Sequence, residues 1–209
     1  MVRNLMFDLG GVIMDICRLN CVAAFDALGM KDADSFFGEY CQSGPFLRLE
    51  AGEISPDVFR FEMRKLITAT VTDQELDTAL NRFLTGIPLR RLHDLENLRH
   101  RYHIYLLSNT NPIMWNSRIA EQFQQDGHDI EYYFDGTLTS FEAGVNKPDS
   151  RIFKTAASKF GITPEDTVFL DDSRNNLDAA KALGFKTLLV PPGSEFMELL
   201  SQNGYLDNY

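Results

Sequence analysis

The sequence predicts an α/β protein, a three-layer Rossmann-like parallel-sheet core with a helical bundle inserted near its start. Three observations predict it. From residue 89 onward, short apolar runs of strand length alternate with amphipathic helical patterns, the signature of right-handed βαβ units around a parallel sheet. The first apolar run, Leu5-Met6-Phe7, carries no polar residue, as a strand covered on both faces requires. A long stretch that reads as helices, roughly 16–88, separates that run from the rest.

The elements follow in chain order. The run Leu5–Phe7 ends on Asp8 and passes into Leu9-Gly10-Gly11-Val12, a strand that delivers an acid to the carboxyl edge of the sheet, where open α/β sheets bind ligands. Helical patterns cover 19–28, ending at Gly29, then 34–40, 56–68 and 72–84, the last with Thr72 or Asp73 as cap and Glu75 close behind. After 88, helices are expected over 89–100, 112–125, 151–160 and 175–183. Strands are expected over 104–107, 132–134, 168–170 and 186–190. Gly161 and Gly184 stand where helices end. The division is thus 1–15 with 89–209 as core and 16–88 as the inserted bundle.

Composition narrows the function. A chain of 209 residues with 44% hydrophobic content can bury a core and carry an insertion. Its formal net charge of −10 argues against nucleic acid and anionic membrane surfaces as partners. The one basic stretch, Arg90-Arg91 to Arg99-His100-Arg101, reads as the solvated face of a helix whose Leu89, Leu92, Leu95 and Leu98 point inward. The apolar segment from Leu5 to Ile16 is broken by Asp8 and Asp15 and is too short to span a bilayer. Cys17, Cys21 and Cys41 are odd in number and lack a second pair for zinc. They read as buried thiols of a cytoplasmic protein.

Chemistry concentrates at the ends of the strand-like runs. After Asp8, glycine lets backbone N–H groups at Leu9 and Gly10 approach an anion closely. The run 103–107 ends in Ser108-Asn109-Thr110, a hydroxyl and an amide suited to phosphate oxygens. Asn146-Lys147-Pro148 sets an ammonium just ahead of a helix. The run 167–170 ends in Asp171-Asp172-Ser173, with Asn176 a turn later, the oxygen-rich donor set that Mg²⁺ prefers.

Taken in this order, Asp8, Ser108, Lys147 and Asp171-Asp172, the chain resembles the haloacid dehalogenase superfamily, in the subfamily with a helical cap inserted after the first motif. The Asp-Leu-Gly at 8–10 and the segment Glu50-Ala51-Gly52-Glu53-Ile54-Ser55 are similar to a bacterial branch that includes hexose 1-phosphate phosphatases such as alpha-glucose-1-phosphate phosphatase. The resemblance implies Asp8 as nucleophile, Ser108 and Lys147 as holders of the phosphoryl group, and Asn109 as a further phosphate contact. It implies Asp172, with Asp171 adjacent, Asp8 and the Gly10 carbonyl as Mg²⁺ ligands. The bundle 16–88 becomes a cap over the site, in which Tyr40, Phe46 and Arg48 are candidates for meeting the substrate; the favoured reading has Phe36, Phe37, Tyr40, Phe46, Phe59 and Phe61 pack the bundle, with Arg48 and Glu50 as a surface pair.

One departure stands out. Most phosphatases and phosphomutases of the superfamily carry a second aspartate two residues after the nucleophile as general acid and base, and this chain has Gly10. Losing a positioned proton donor removes about two to four orders of magnitude in rate. Asp15 is a candidate replacement, but a hinge hydrogen-bonding role is its favoured reading. Phe134-Asp135-Gly136-Thr137-Leu138 mimics a first motif and reads as structural, and the four histidines show no ligand spacing. The expected function is a Mg²⁺-dependent phosphomonoester hydrolase working through an aspartyl phosphate on a small phosphorylated metabolite, such as the hexose 1-phosphates of the resembled branch. It would act as a monomer or homodimer. The alternatives are a phosphate- and metal-binding protein whose catalysis failed with the acid, a dehalogenase, or a phosphomutase.

Overall fold

The computed structural model describes residues 2–38 and 42–206. Strand β1 (Asn4–Phe7) is followed by a two-residue strand β2 (Asp15–Ile16). Then come helices α1 (Arg18–Ala27), α2 (Gly44–Glu50), α3 (Pro56–Leu66) and α4 (Asp73–Asn81), and strand β3 (Leu84–Gly86), which pairs antiparallel with β2. Strands β4 (His103–Ser108), β5 (Gly136–Thr139), β6 (Thr167–Asp171) and β7 (Lys186–Leu189) join β1 in a five-stranded parallel sheet of order β5-β4-β1-β6-β7. With β4 and β5 to one side of β1 and β6 and β7 to the other, the chain changes direction at β1. That crevice at the carboxyl edge is where such sheets receive ligands.

The three-layer expectation holds because side chains alternate across a pleated strand. Leu5 and Phe7 face one core with Ile104, Leu106, Val168 and Leu170. Met6 faces the other with Tyr105, Phe169, Ile152 and Phe153. The register aligns Phe7 with Leu106 on β4 and with Leu170 on β6. Asp8 therefore comes out beside Asp171, and its N–H donates to the Leu170 carbonyl at 2.8 Å.

The inserted helices bury a cluster of aromatic rings. Phe46 on α2 packs against Phe37, Phe59 and Phe25 with centroids 4.3, 5.1 and 5.3 Å away. Phe61, expected in this cluster, is instead 60% exposed on the outer face of α3. Helix α4 begins with a reciprocal capping box between Thr72 and Glu75, which fixes Thr72 as the cap. Gly52 ends the turn after α2 at a positive φ of 68° in contact with the core, where an added Cβ would collide with the Phe141 carbonyl oxygen. The end of α2 is thereby seated on the core.

Several expectations are corrected. The strand expected over 132–134 is the end of a short helix, Ile130–Tyr133, and the strand lies at β5, Gly136–Thr139. The helix expected over 34–40 is a 3₁₀ turn at Ala33–Phe36, and residues 39–41, with Tyr40 and Cys41, lie outside the described residues. The helical run from Pro112 to Phe123 widens into a π turn over Trp115–Ile119. Arg91 is not on a solvated face. Only 5% exposed, it donates to the Ile13 carbonyl at 3.1 Å, to Asp15 at 2.7 Å and to Glu195 at 3.0 Å. It thus clamps the start of the β2–β3 ribbon to the core, and Asp15 is its partner. Asp135 accepts from the Ile104 N–H at 2.8 Å and faces Arg99, a structural role. Among the described residues, no helix is long and apolar enough to cross a membrane.

Arg91→Met keeps the aliphatic packing but abandons two carboxylates and a buried carbonyl. A loss of about 1.5–3 kcal/mol is expected, as for hydrogen bonds to charged groups, read as a lowered urea midpoint at unchanged slope.

Candidate active site

Four segments converge at the carboxyl edge of the sheet. Because Asp8, Leu107 and Asp171 continue the phase of Met6, Tyr105 and Phe169, they face the layer of the helix Ser150–Phe160, whose leading loop carries Lys147. The Lys147 ammonium is 3% exposed as a residue and donates to Asp8 Oδ1 at 2.8 Å, Asp171 Oδ2 at 2.8 Å and the Leu107 carbonyl at 3.1 Å. All three of its protons are used. Asn109 fastens that loop to β4: its amide donates to the Lys147 carbonyl at 3.0 Å and its oxygen accepts from the Lys147 N–H at 2.8 Å.

The two aspartates of the β6 end differ in role. Asp171 is fully buried, and both its oxygens are occupied by Lys147, the Ser173 N–H and the Asn176 amide. Asn176, read from sequence as part of an oxygen donor set, is therefore a donor to Asp171. Asp172 instead lines the cavity with Asp8, Gly10 and Lys147. Gly11, at a φ of 75°, lies so close that an added Cβ would overlap Asp172 Oδ2. Ligand oxygens of Asp8, Asp171 and Asp172 lie within 4.8 Å of one another. Asp8 Oδ1 takes the bond from Lys147 and another from the Leu9 N–H at 2.7 Å, so the Leu9 amide expected to meet phosphate is committed to Asp8; Oδ2 takes part in neither bond.

Burial pushes the Asp8 carboxyl well above the ordinary carboxylate range; Lys147 opposes the rise, and Asp171 and Asp172 add to it. Burial works against the Lys147 ammonium as well, yet Asp171 and Asp8 outweigh it and hold the proton more firmly than usual. A second cation beside Asp8 would bring its carboxylate back toward the ionised form.

Beside this charged cavity opens an apolar one, lined by Leu9, Phe37, Phe46, Phe83, Ser108 and Asn109. Ser108 is 1% exposed at the end of β4. Gly10, Asn109, Phe83 and Glu50 line both cavities. Of the residues expected on the substrate side, Phe46 lines the apolar cavity while packing the bundle. Arg48 does not: it pairs with Glu62 at 2.9 Å and Glu53 at 3.8 Å on the outside of α2. Glu50 is the residue the sequence reading misplaced as a surface partner. Four residues after Phe46 it shares that residue's helix face, whereas Arg48 is out of phase, and this spacing was the available signal.

Burial raises the Glu50 carboxyl from 4.5 to about 8. Among the described residues it has no hydrogen bond or ion pair.

A family model described as haloacid dehalogenase-like hydrolase matches residues 2–184, and the chain belongs to that family of hydrolases. It is 36% identical over 201 residues to the D-ribitol-5-phosphate phosphatase of Bacteroides thetaiotaomicron, covering 96% of this chain and 98% of that protein. A haloacid dehalogenase family enzyme of the same organism, an aspartate-to-alanine mutant in complex with magnesium and inorganic phosphate, superposes with a TM-score of 0.92 at 36% identity, over 96% of this chain and 99% of the other. A predicted hydrolase of the same kind from Porphyromonas gingivalis superposes with a TM-score of 0.91 at 32% identity, over 99% and 100% of the two chains.

Between pH 4.5 and about 8 the folded protein holds a proton on Glu50 that the unfolded chain has released. Folding stability therefore drains away as pH rises through that window and levels off above it. Glu50→Gln removes this slope. Its thermal midpoint should gain progressively on the wild type from pH 5 to 8, and a constant offset would contradict the raised value.

Proposed function

We propose that the protein is a Mg²⁺-dependent phosphomonoester hydrolase acting through an aspartyl phosphate on a small phosphorylated sugar or sugar alcohol. The observation that carries the reading is the Lys147 ammonium held 2.8 Å from both Asp8 and Asp171, with Asp172 on the same cavity wall. A phosphate monoester is a dianion and cannot approach three clustered carboxylates unless positive charge meets it. Asp8, Asp172 and the Gly10 carbonyl would hold the metal, while Asp171, its oxygens already taken, fixes Lys147. When bound, the metal supplies charge neutralisation and in-line orientation of the phosphoryl group.

The chain's own residues supply the rest. Asp8 Oδ2, free of the bonds that immobilise Oδ1, is the attacking oxygen. The Ser108 hydroxyl bonds a phosphoryl oxygen, and the Lys147 ammonium, its protons already committed, attracts the phosphoryl group by its charge; Gly10 lines both cavities between them. Attack forms an Asp8–phosphorus bond as the ester bond breaks, and water then reopens the acyl phosphate, so one hard displacement becomes two easier ones. Residues 16–88 act as a cap whose apolar wall, Phe37, Phe46 and Phe83, covers the carbon skeleton and excludes water. The named ribitol-phosphate relative supports a primary phosphate on a polyol more than the hexose 1-phosphate expected from sequence.

Phosphate release from ribitol 5-phosphate and other sugar and polyol phosphates should vanish in EDTA and return with Mg²⁺. Asp8→Asn should fold and lose at least about 10³-fold in kcat. A panel that includes hexose 1-phosphates separates the two substrate classes. Wild-type protein that binds phosphate and metal yet turns over nothing would establish the non-catalytic alternative that Gly10 suggests.

A further inference from the structure

Asp8 lacks an obvious partner in proton transfer. Breaking an ester of a primary alcohol expels an alkoxide, which needs a proton as it leaves. The ionisable groups around Asp8 have other tasks: Lys147 spends its three protons on Asp8, Asp171 and Leu107, Asp171 accepts from three residues, Asp172 is taken as a metal ligand in the reading above, and Asp15 is clamped by Arg91 outside the charged cavity. Gly10 offers no side chain. Glu50 differs from all of these. It stands on the last turn of α2, lines both the charged and the apolar cavity, and is the one ionisable side chain among the described residues of the apolar wall. The leaving group of a substrate with its phosphate beside Asp8 and its carbon skeleton against Phe46 lies between those two regions. The seating of Gly52 on the Phe141 carbonyl fixes the end of α2 there.

We propose that Glu50 is the proton donor and acceptor of the reaction, taking from the cap side the role for which Gly10 has no group. The proposal rests on the hydrolase reading above. In the first step Asp8 Oδ2 bonds to phosphorus, the phosphorus–oxygen bond to the alcohol breaks, and the leaving oxygen keeps the electron pair and receives the Glu50 proton. In the second a water oxygen bonds to phosphorus, the Asp8–phosphorus bond breaks, and the water proton passes to the Glu50 carboxylate. Inorganic phosphate leaves with Asp8 and Glu50 restored. The desolvation that raises Glu50 to about 8 keeps it protonated near neutrality, as the first step requires.

Aryl phosphates test this without any sugar hydroxyl for Glu50 to bind. kcat/KM ends at the first irreversible step, the loss of the leaving group, so it isolates proton donation. Glu50→Gln should lose about 100-fold in kcat/KM on phenyl phosphate and only a few-fold on 4-nitrophenyl phosphate, whose leaving group needs little help. Glu50→Ala should show the same steepened dependence, and inhibition by inorganic phosphate at the wild-type constant verifies that each variant keeps its phosphate site. The double variant Gly10→Asp/Glu50→Gln should recover the phenyl phosphate rate. A Cβ at Gly10 meets only the Ile16 side chain, at 3.4 Å, and the backbone there suits any residue. A loss equal across leaving groups, or no loss, overturns the proposal. Loss confined to polyol phosphates also overturns it and makes Glu50 a hydroxyl-binding residue. Failure of the hydrolase reading is told apart by the wild type itself, which would then release no phenol and show no dependence on Asp8.

Discussion

The arrangement turns on one buried ammonium. Without Lys147, Asp8 and Asp171 would be adjacent carboxylates inside a protein, a state that burial and mutual repulsion both oppose. With it, the two acids, the Leu107 carbonyl and the ends of β1, β4 and β6 are held to one point by three bonds. This draws on the whole core: the register of β1 with β6 sets Asp8 beside Asp171, the pleat turns both toward the layer of the helix Ser150–Phe160, and the Asn109 amide fixes the loop from which Lys147 reaches in. Yet one ammonium does not balance three carboxylates. The residual negative charge is the physical reason that a divalent cation suits the cavity, and that Asp172, on the open side, suits it better than Asp171, whose oxygens are filled.

Much of this was legible in the sequence, and the reasons are local. A strand covered on both faces must be apolar throughout, so Leu5–Phe7, 104–107 and 168–170 announce themselves, and the residue that ends each run falls at the sheet edge. Hence Asp8, Ser108 and Asp171-Asp172 stand out in the sequence as residues of one sheet edge. What was missed depends on contacts distant in sequence. Arg91 looks like a solvated arginine because its partners, Asp15 and Glu195, lie 76 and 104 residues away. β5 was displaced because its four residues, Gly-Thr-Leu-Thr, carry one large apolar side chain, and the neighbouring aromatic helix looked more like a strand. Asn176 has the right chemistry for a ligand, and only the packing shows it spent on Asp171.

The helix α2 shows how one phase error inverts a functional assignment. Seven residues hold an aromatic, an arginine and a glutamate within one and a half turns, and the arginine is the natural candidate for a phosphorylated substrate. The aromatic decides otherwise. Once Phe46 is buried in the bundle, the residue four further on must share its side, while Arg48 is carried round to Glu62 and Glu53.

A proton donor on the cap differs in kind from one beside the nucleophile. An acid on the same strand end is present whether the site is open or closed, so water reaching an open site could use it. An acid on α2 belongs to the inserted helices and stands beside the apolar wall of Phe37, Phe46 and Phe83, so its place at the site depends on those helices covering the sheet edge. The burial that raises the Glu50 carboxyl goes with that position between the two cavities, so a donor there would be protonated where the substrate sits. With Glu50 in place of an acid at Gly10, cleavage would be tied to occupancy of the space under the inserted helices, and selectivity for the carbon skeleton would enter the chemical step as well as binding.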